Sequence, residues 1–187
     1  MPIRIGSLLL ALTLAATGCT AREGISGTLS SLSTIAGARR VLASFPAFKA
    51  LDEAPACVVA EVVRQGSDAG LAALNEAVRP RGGVIDITSC GALDPADIEA
   101  ASAFLISGPL DTTLGIMVTA GYHETDAVGF GVACAVIEGV RASGLDAFRV
   151  ALAGGGKIAW TAPDEDGAAC LARINARAAS MLAPAPL

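Results

Sequence analysis

Two residues of this sequence could form a nucleophile and its base. Cys90 follows a strand-like run and precedes a capped helix start. A thiol at a helix N-terminus has its pKa lowered and becomes a better nucleophile. His123, the only histidine, lies in Gly121-Tyr122-His123-Glu124-Thr125-Asp126. Cys90 with His123 as base, and Glu124 or Asp126 as its orienter, would give a hydrolase or transferase site. The same residues fit a plainer arrangement: Cys90 structural or disulfide-bonded, and His123 on a surface loop. The sequence favours that arrangement, because no glycine-built oxyanion turn surrounds Cys90.

Other chemistry is weaker. His123, Glu124 and Asp126 could ligate a metal, but an acid-rich helix start capped by Thr125 or Asp126 accounts for them equally well. No metal and no cofactor is expected. Gly154-Gly155-Gly156-Lys157 lacks P-loop spacing and leads into a strand, so a hairpin turn is expected there instead of an anion cradle. Trp160, the only tryptophan, is expected to pack in the core or the hairpin.

Four cysteines lie in the body of the chain: Cys57, Cys90, Cys134 and Cys170. An even number permits two disulfides, with three connectivities that the sequence does not separate. Cys134 in Val-Ala-Cys-Ala-Val and Cys170 in Ala-Ala-Cys-Leu have helix-core settings. There is no Cys-x-x-Cys, so neither a thioredoxin-like nor a zinc-ribbon site is supported.

These residues need elements to place them. Residues 28 to 44 are expected to be helical, with Leu29, Leu32, Ile35 and Ala36 on one face and Pro46 as the interruption. Asp52 is a possible N-cap ahead of Pro55. Val58, Val59, Val62 and Val63 then line one face, with Glu61, Arg64 and Gln65 opposite. Gly66 is expected to end that helix, and Ser67 to cap the next one, running to Arg79. Val84 to Thr88 reads as a strand. Asp94-Pro95-Ala96-Asp97 starts a helix ending near Ser107-Gly108-Pro109. Leu114 to Thr119 has the look of a buried strand. Ala127 to Arg141 is ambiguous: its length and Glu138/Arg141 favour helix, while Gly129 and Gly131 oppose it. Phe148 to Leu152 and Lys157 to Thr161 are expected to form a hairpin across the three glycines. A last helix runs from Pro163 to about Leu182, with Arg173 and Arg177 placed to complement its dipole. The fold class is α+β (or α/β). One domain is expected, helix-rich toward its N-terminus, with a small sheet, a C-terminal hairpin and a terminal helix.

The first residues read as an export signal. Arg4 is followed by the apolar run Leu8 to Ala16, too short to span a bilayer, which takes about 20 helical residues. Leu14-Ala15-Ala16-Thr17-Gly18-Cys19 resembles the lipobox of bacterial lipoproteins. That resemblance implies a diacylglycerylated Cys19, cleavage before it, and acylation of the new amine. Two or three acyl chains anchor stably where one does not. Thr20 is not the Asp that favours inner-membrane retention in such lipoproteins, so the resemblance implies an outer-membrane anchor facing the periplasm. The implied organisation is a signal peptide over 1–18 and a lipidated cysteine with short tether over 19–27. A globular domain follows over 28–182, then an extended Ala-Pro-Ala-Pro-Leu tail over 183–187.

A second likeness covers about 40 residues. Gly82-Gly83-Val84-Ile85, Thr88-Ser89, Pro95-x-Asp97-Ile98 and Phe104-Leu105-x-Ser107, up to Gly121-Tyr122, look like fragments of short-chain dehydrogenases. That family's Tyr-x-x-x-Lys is absent, since Tyr122 has Asp126 four residues on. No glycine-rich dinucleotide turn follows a first strand, so no nicotinamide site is implied.

Composition bounds the rest. The chain has 187 residues, 53% hydrophobic and 17% charged. That is too apolar and too weakly charged for intrinsic disorder. Without Arg4 the remainder carries 12 basic and 18 acidic side chains, so nucleic-acid binding by phosphate neutralisation is not expected. An acidic body also adheres poorly to anionic lipid, and no segment of it is expected to span a bilayer. The expected function is an envelope lipoprotein whose body binds or scaffolds without catalysis. Its partners would be the membrane, through the lipid, and other envelope proteins. The alternative is a lipid-anchored enzyme using Cys90 and His123.

Overall fold

The computed structural model describes residues 29–76, 79–107, 113, 116, 127–163 and 167–182. Cys19, the tail and the stretch from Tyr122 to Asp126, including His123, lie outside the described residues.

A helical turn over 29–32 leads into α1 (Ile35–Leu42). The break between them is Thr34, whose extended backbone and hydroxyl cap α1 by accepting from Gly37 N at 3.0 Å. One helix over 28–44 therefore becomes two. Leu29, Leu32, Ala38 and Leu42 are buried, while Ala36 is exposed. Pro46 opens a short helix, α2 (Pro46–Lys49), in which proline occupies the first turn.

The longest apolar periodicity gives α3 (Glu53–Glu76), 24 residues without a stop. Gly66 does not end it and Ser67 does not cap a second helix. Ser67 is buried and donates to the Val63 carbonyl at 2.9 Å, the back-bond a mid-helix serine can make. Gly66 and Gly70 serve packing. A Cβ built at Gly70 would overlap the Gly129 carbonyl, and one at Gly66 would lie 3.3 Å from Ile137 Cγ1. These contacts bring α3 close to α5 (Ala127–Ala153), which runs antiparallel to it. Gly70→Ala should cost about 1–3 kcal/mol, because backbone meets backbone there and cannot rotate away. Chemical denaturation against wild type measures it, with Ala72→Gly as a control for propensity alone.

α5 settles the ambiguity over 127–141 as helix. Its 27 residues are interrupted only at Gly144, which takes φ 70° and breaks the axis. Phe148 to Leu152 belong to its second segment and not to a hairpin strand. The helix ends because Gly155 and Gly156 adopt positive φ, and Gly156 N–H bonds back to the Ala151 carbonyl at 2.8 Å. The three glycines are thus a helix stop, and the strand after them pairs elsewhere. β2 (Lys157–Thr161) runs antiparallel to β1 (Gly82–Asp86), with Ile85 opposite Ile158 and Gly83 opposite Trp160. Ile85, Ile158 and Trp160 are buried, and the alternate residues face solvent.

Against the expectation from sequence, α5 is long and apolar enough to cross a membrane, the one such helix among the described residues. It is the core helix of the body. α3, α6 (Gly167–Leu182), α4 (Pro95–Ser107) and β2 pack around it.

α4 begins as its sequence requires. Asp97 N–H donates to Asp94 Oδ1 at 2.9 Å, and Asp94 N–H donates to Asp97 Oδ2 at 3.0 Å, a reciprocal cap. Thr88 lies in a 3₁₀ turn (Thr88–Cys90) and not in the strand. Of the strand expected over 114–119, only Ile116 is described, and it is helical and buried. α6 starts at Gly167, where it meets Gly131 of α5 backbone to backbone. The result is an α+β body in which helices dominate and the sheet has two strands.

Candidate functional site

A cluster of polar side chains lies beside Cys90. Its sulfur is bonded to Cys57 Sγ, with Cα atoms 5.6 Å apart. Cys57 lies on the first turns of α3 and Cys90 on the 3₁₀ turn after β1. The bond therefore ties the far end of the sheet to the start of the long helix. In this state Cys90 has no thiol, which removes the nucleophile from the Cys90/His123 alternative.

One turn along α3 from Cys57 stands Glu61, expected from sequence on the solvent side and found 3% exposed. Ser89 Oγ donates to its Oε1 at 2.7 Å. Arg64 Nε, at 2.8 Å, and Gln65 Nε2, at 2.9 Å, donate to its Oε2. Burial raises the carboxyl's pKa, but hydrogen bonds from Ser89, Gln65 and Arg64, with the Arg64 charge, bring it below the ordinary value. Arg64 also reaches Asp68 Oδ2 at 2.6 Å, and burial pushes the Asp68 carboxyl up against that attraction.

Gln65 does a second job. Its amide accepts from Asp86 N–H at 2.9 Å and donates to the Asp86 carbonyl at 2.6 Å. Asp86 is a β1 residue whose backbone points away from β2. The side chain thus occupies the place of a third strand and closes part of an open sheet edge. Asp86 Oδ1 in turn accepts from Thr88 N–H and Oγ1, and these bonds hold its carboxyl low.

A second, partly buried carboxylate, Glu138, sits midway along α5. It accepts from Thr113 Oγ1, from Arg141 Nη1 and from Arg173 Nη2, the last at 3.1 Å. Arg173 therefore pairs across to α5 and is not simply a charge complementing its own helix end. Beside it Cys134 and Cys170, both fully buried, form the second disulfide.

No family model, no curated protein and no solved structure matches the chain.

Each carboxylate is held ionised by several donors, so neither is a proton donor at neutral pH. Among the described residues, no group of three or more His, Cys, Asp or Glu side chains could hold a metal. His123, Glu124 and Asp126 are not among them. A shallow groove of about 290 Å³ lies between α5 and β2, lined by Gly139, Ala142, Ser143, Ala159, Trp160 and Thr161. Its side chains offer two hydroxyls and an indole edge but no titratable group. The clusters do mechanical work: they lock α3 to the sheet and α5 to α6. Glu61 has one signal in the sequence, a lone acid inside Val58-Val59-Ala60-Glu61-Val62-Val63. A charge in so apolar a run is buried whenever the helix is covered on more than one side.

Proposed function

We propose that the chain is a bacterial envelope lipoprotein, anchored through lipid on Cys19 and facing the periplasm from the outer membrane. Its body is a binding or structural module that performs no catalysis. The observation that carries this reading is the pairing of the cysteines. All four in the body are in disulfides, which persist in exported and periplasmic proteins and are rare in a reducing cytosol. The fifth, Cys19, falls directly after the short apolar leader, where the lipobox places an acylated cysteine. The module reading is supported by the Cys57–Cys90 bond, which takes up the thiol that the enzyme alternative needs.

Intact mass of the protein extracted from membranes tests this directly. The expected species starts at Cys19, carries acyl groups, and gains two hydrogens per disulfide on reduction. Cys19→Ser should leave the precursor uncleaved or move the protein out of the lipid fraction, since lipidation supplies the stable anchoring. Normal cleavage with unchanged partition into detergent would overturn the reading.

A further inference from the structure

The length of chain between Cys19 and the body bears on which end of the body an anchor at Cys19 would bring nearest the bilayer. Leu29 is the first described residue, and only nine residues, Thr20 to Thr28, separate it from Cys19. Fully extended they reach about 30 Å. Leu29 packs at the C-terminal end of α3. A Cβ built on Gly129 would lie 2.6 Å from Leu29 Cδ1 and 3.0 Å from Leu74 Cδ1. From there the chain runs away along α3, and Arg39 of α1 pairs with Glu53 at the other end at 2.7 Å. The 24 residues of α3 make that separation about 36 Å.

At the near end two large apolar side chains are left in solvent. Leu74 is 41% exposed and Val128 is 47% exposed, and Leu74 and Leu29 both pack against Gly129, the residue after Val128. The polar clamp at Glu61 and the half-buried Cys57–Cys90 bond lie toward the far end.

Resting on the lipoprotein reading, we propose that Leu74 and Val128 form the face that sits against the bilayer. The lipid supplies affinity. The two side chains supply orientation, entering the interfacial region and directing the Cys57–Cys90 end and the sheet away from the membrane. A second copy or a peptide is less suited to this patch, because a tether this short already holds it close to a lipid surface.

Trp160→Phe removes the single tryptophan, so one new tryptophan reports its own surroundings. In that background Leu74→Trp, Val128→Trp and Val150→Trp are compared in the lipidated protein. The vesicles contain phosphatidylethanolamine and phosphatidylglycerol with lipids brominated along the acyl chain. Val150, 69% exposed beyond the Gly144 break, is the distal control. Leu74→Trp and Val128→Trp should be quenched about twofold or more, and Val150→Trp hardly at all. If either near-end variant misfolds, seen as a lost disulfide in the mass, the other still decides. Equal quenching at all three positions, with the lipid present by mass, overturns the orientation and leaves the lipoprotein reading standing. A protein without lipid that does not float with vesicles overturns both.

Discussion

Reducing both disulfides is expected to bring the body to the edge of unfolding. Cys57–Cys90 closes a loop of 33 residues and Cys134–Cys170 one of 36. The two loops do not overlap in sequence, so their chain-entropy contributions add, at about 3–4 kcal/mol each. Their sum, about 7 kcal/mol, is comparable with the whole stability of an ordinary domain. The two bonds should open in order. Cys57 and Cys90 are half-buried and meet a reductant in the native state, whereas Cys134 and Cys170 are sealed between α5 and α6. Guanidinium unfolding with and without dithiothreitol is the measurement, with alkylation and mass recording which bond has opened. A fall in midpoint of about 1–3 M is expected for full reduction. An unchanged midpoint after both bonds are demonstrably open would show that helix packing alone holds the fold.

Local rules with short reach were legible in the sequence. The Asp94/Asp97 cap, the strand at Val84 and the apolar face of Val58, Val59, Val62 and Val63 each depend on residues within one or two turns. What the sequence hid were contacts between elements. Gly66 and Ser67 look like a helix stop because glycine is a poor helix former and serine a good cap. Gly66 instead lets α5, some 70 residues away in sequence, lie against it, and Ser67 turns its hydroxyl back onto its own helix. The triple glycine looks like a hairpin turn because strand-like residues flank it. Phe148 and Ala151, however, are buried at helical spacing, and β2 finds its partner at Gly82–Asp86. Around the site, Cys90 was legible as a residue of interest and as a disulfide candidate. Cys57 as its partner, Glu61 beneath it and Gln65 on the sheet edge were not. They meet only once the sheet folds back on the first half of α3.

Glu138→Leu is expected to cost about 2–3 kcal/mol, and the cost should fade in acid. Removing the carboxylate takes one charged acceptor away from each of Arg141 and Arg173 in a partly buried place. Breaking a fully buried pair costs about 3–5 kcal/mol, and the partial exposure of both arginines sets the lower figure. Arg141 keeps its bond to the Leu105 carbonyl at 2.7 Å, which also limits the damage. For the acid dependence, burial raises the Glu138 carboxyl, but the Thr113 hydrogen bond, the charge and hydrogen bond of Arg141 and the charge of Arg173 outweigh it. Its folded pKa is below its unfolded value of about 4.3, so its stabilisation is complete above that unfolded value and is lost as pH falls from there through the folded pKa. Glu61 and Asp86 are depressed in the same sense and weaken the fold over the same range. Asp68, raised by burial, acts with the opposite sign and offsets part of the loss. Wild type should therefore melt at a markedly lower temperature at pH 3.5 than at pH 7. The gap between wild type and Glu138→Leu should shrink over that interval, as should the gap to Glu138→Gln, because protonated Glu, Leu and Gln are all neutral. A gap of constant size from pH 7 to pH 3.5 would mean that the charge of Glu138 does not join α5 to α6, leaving that work to the Cys134–Cys170 bond one turn away.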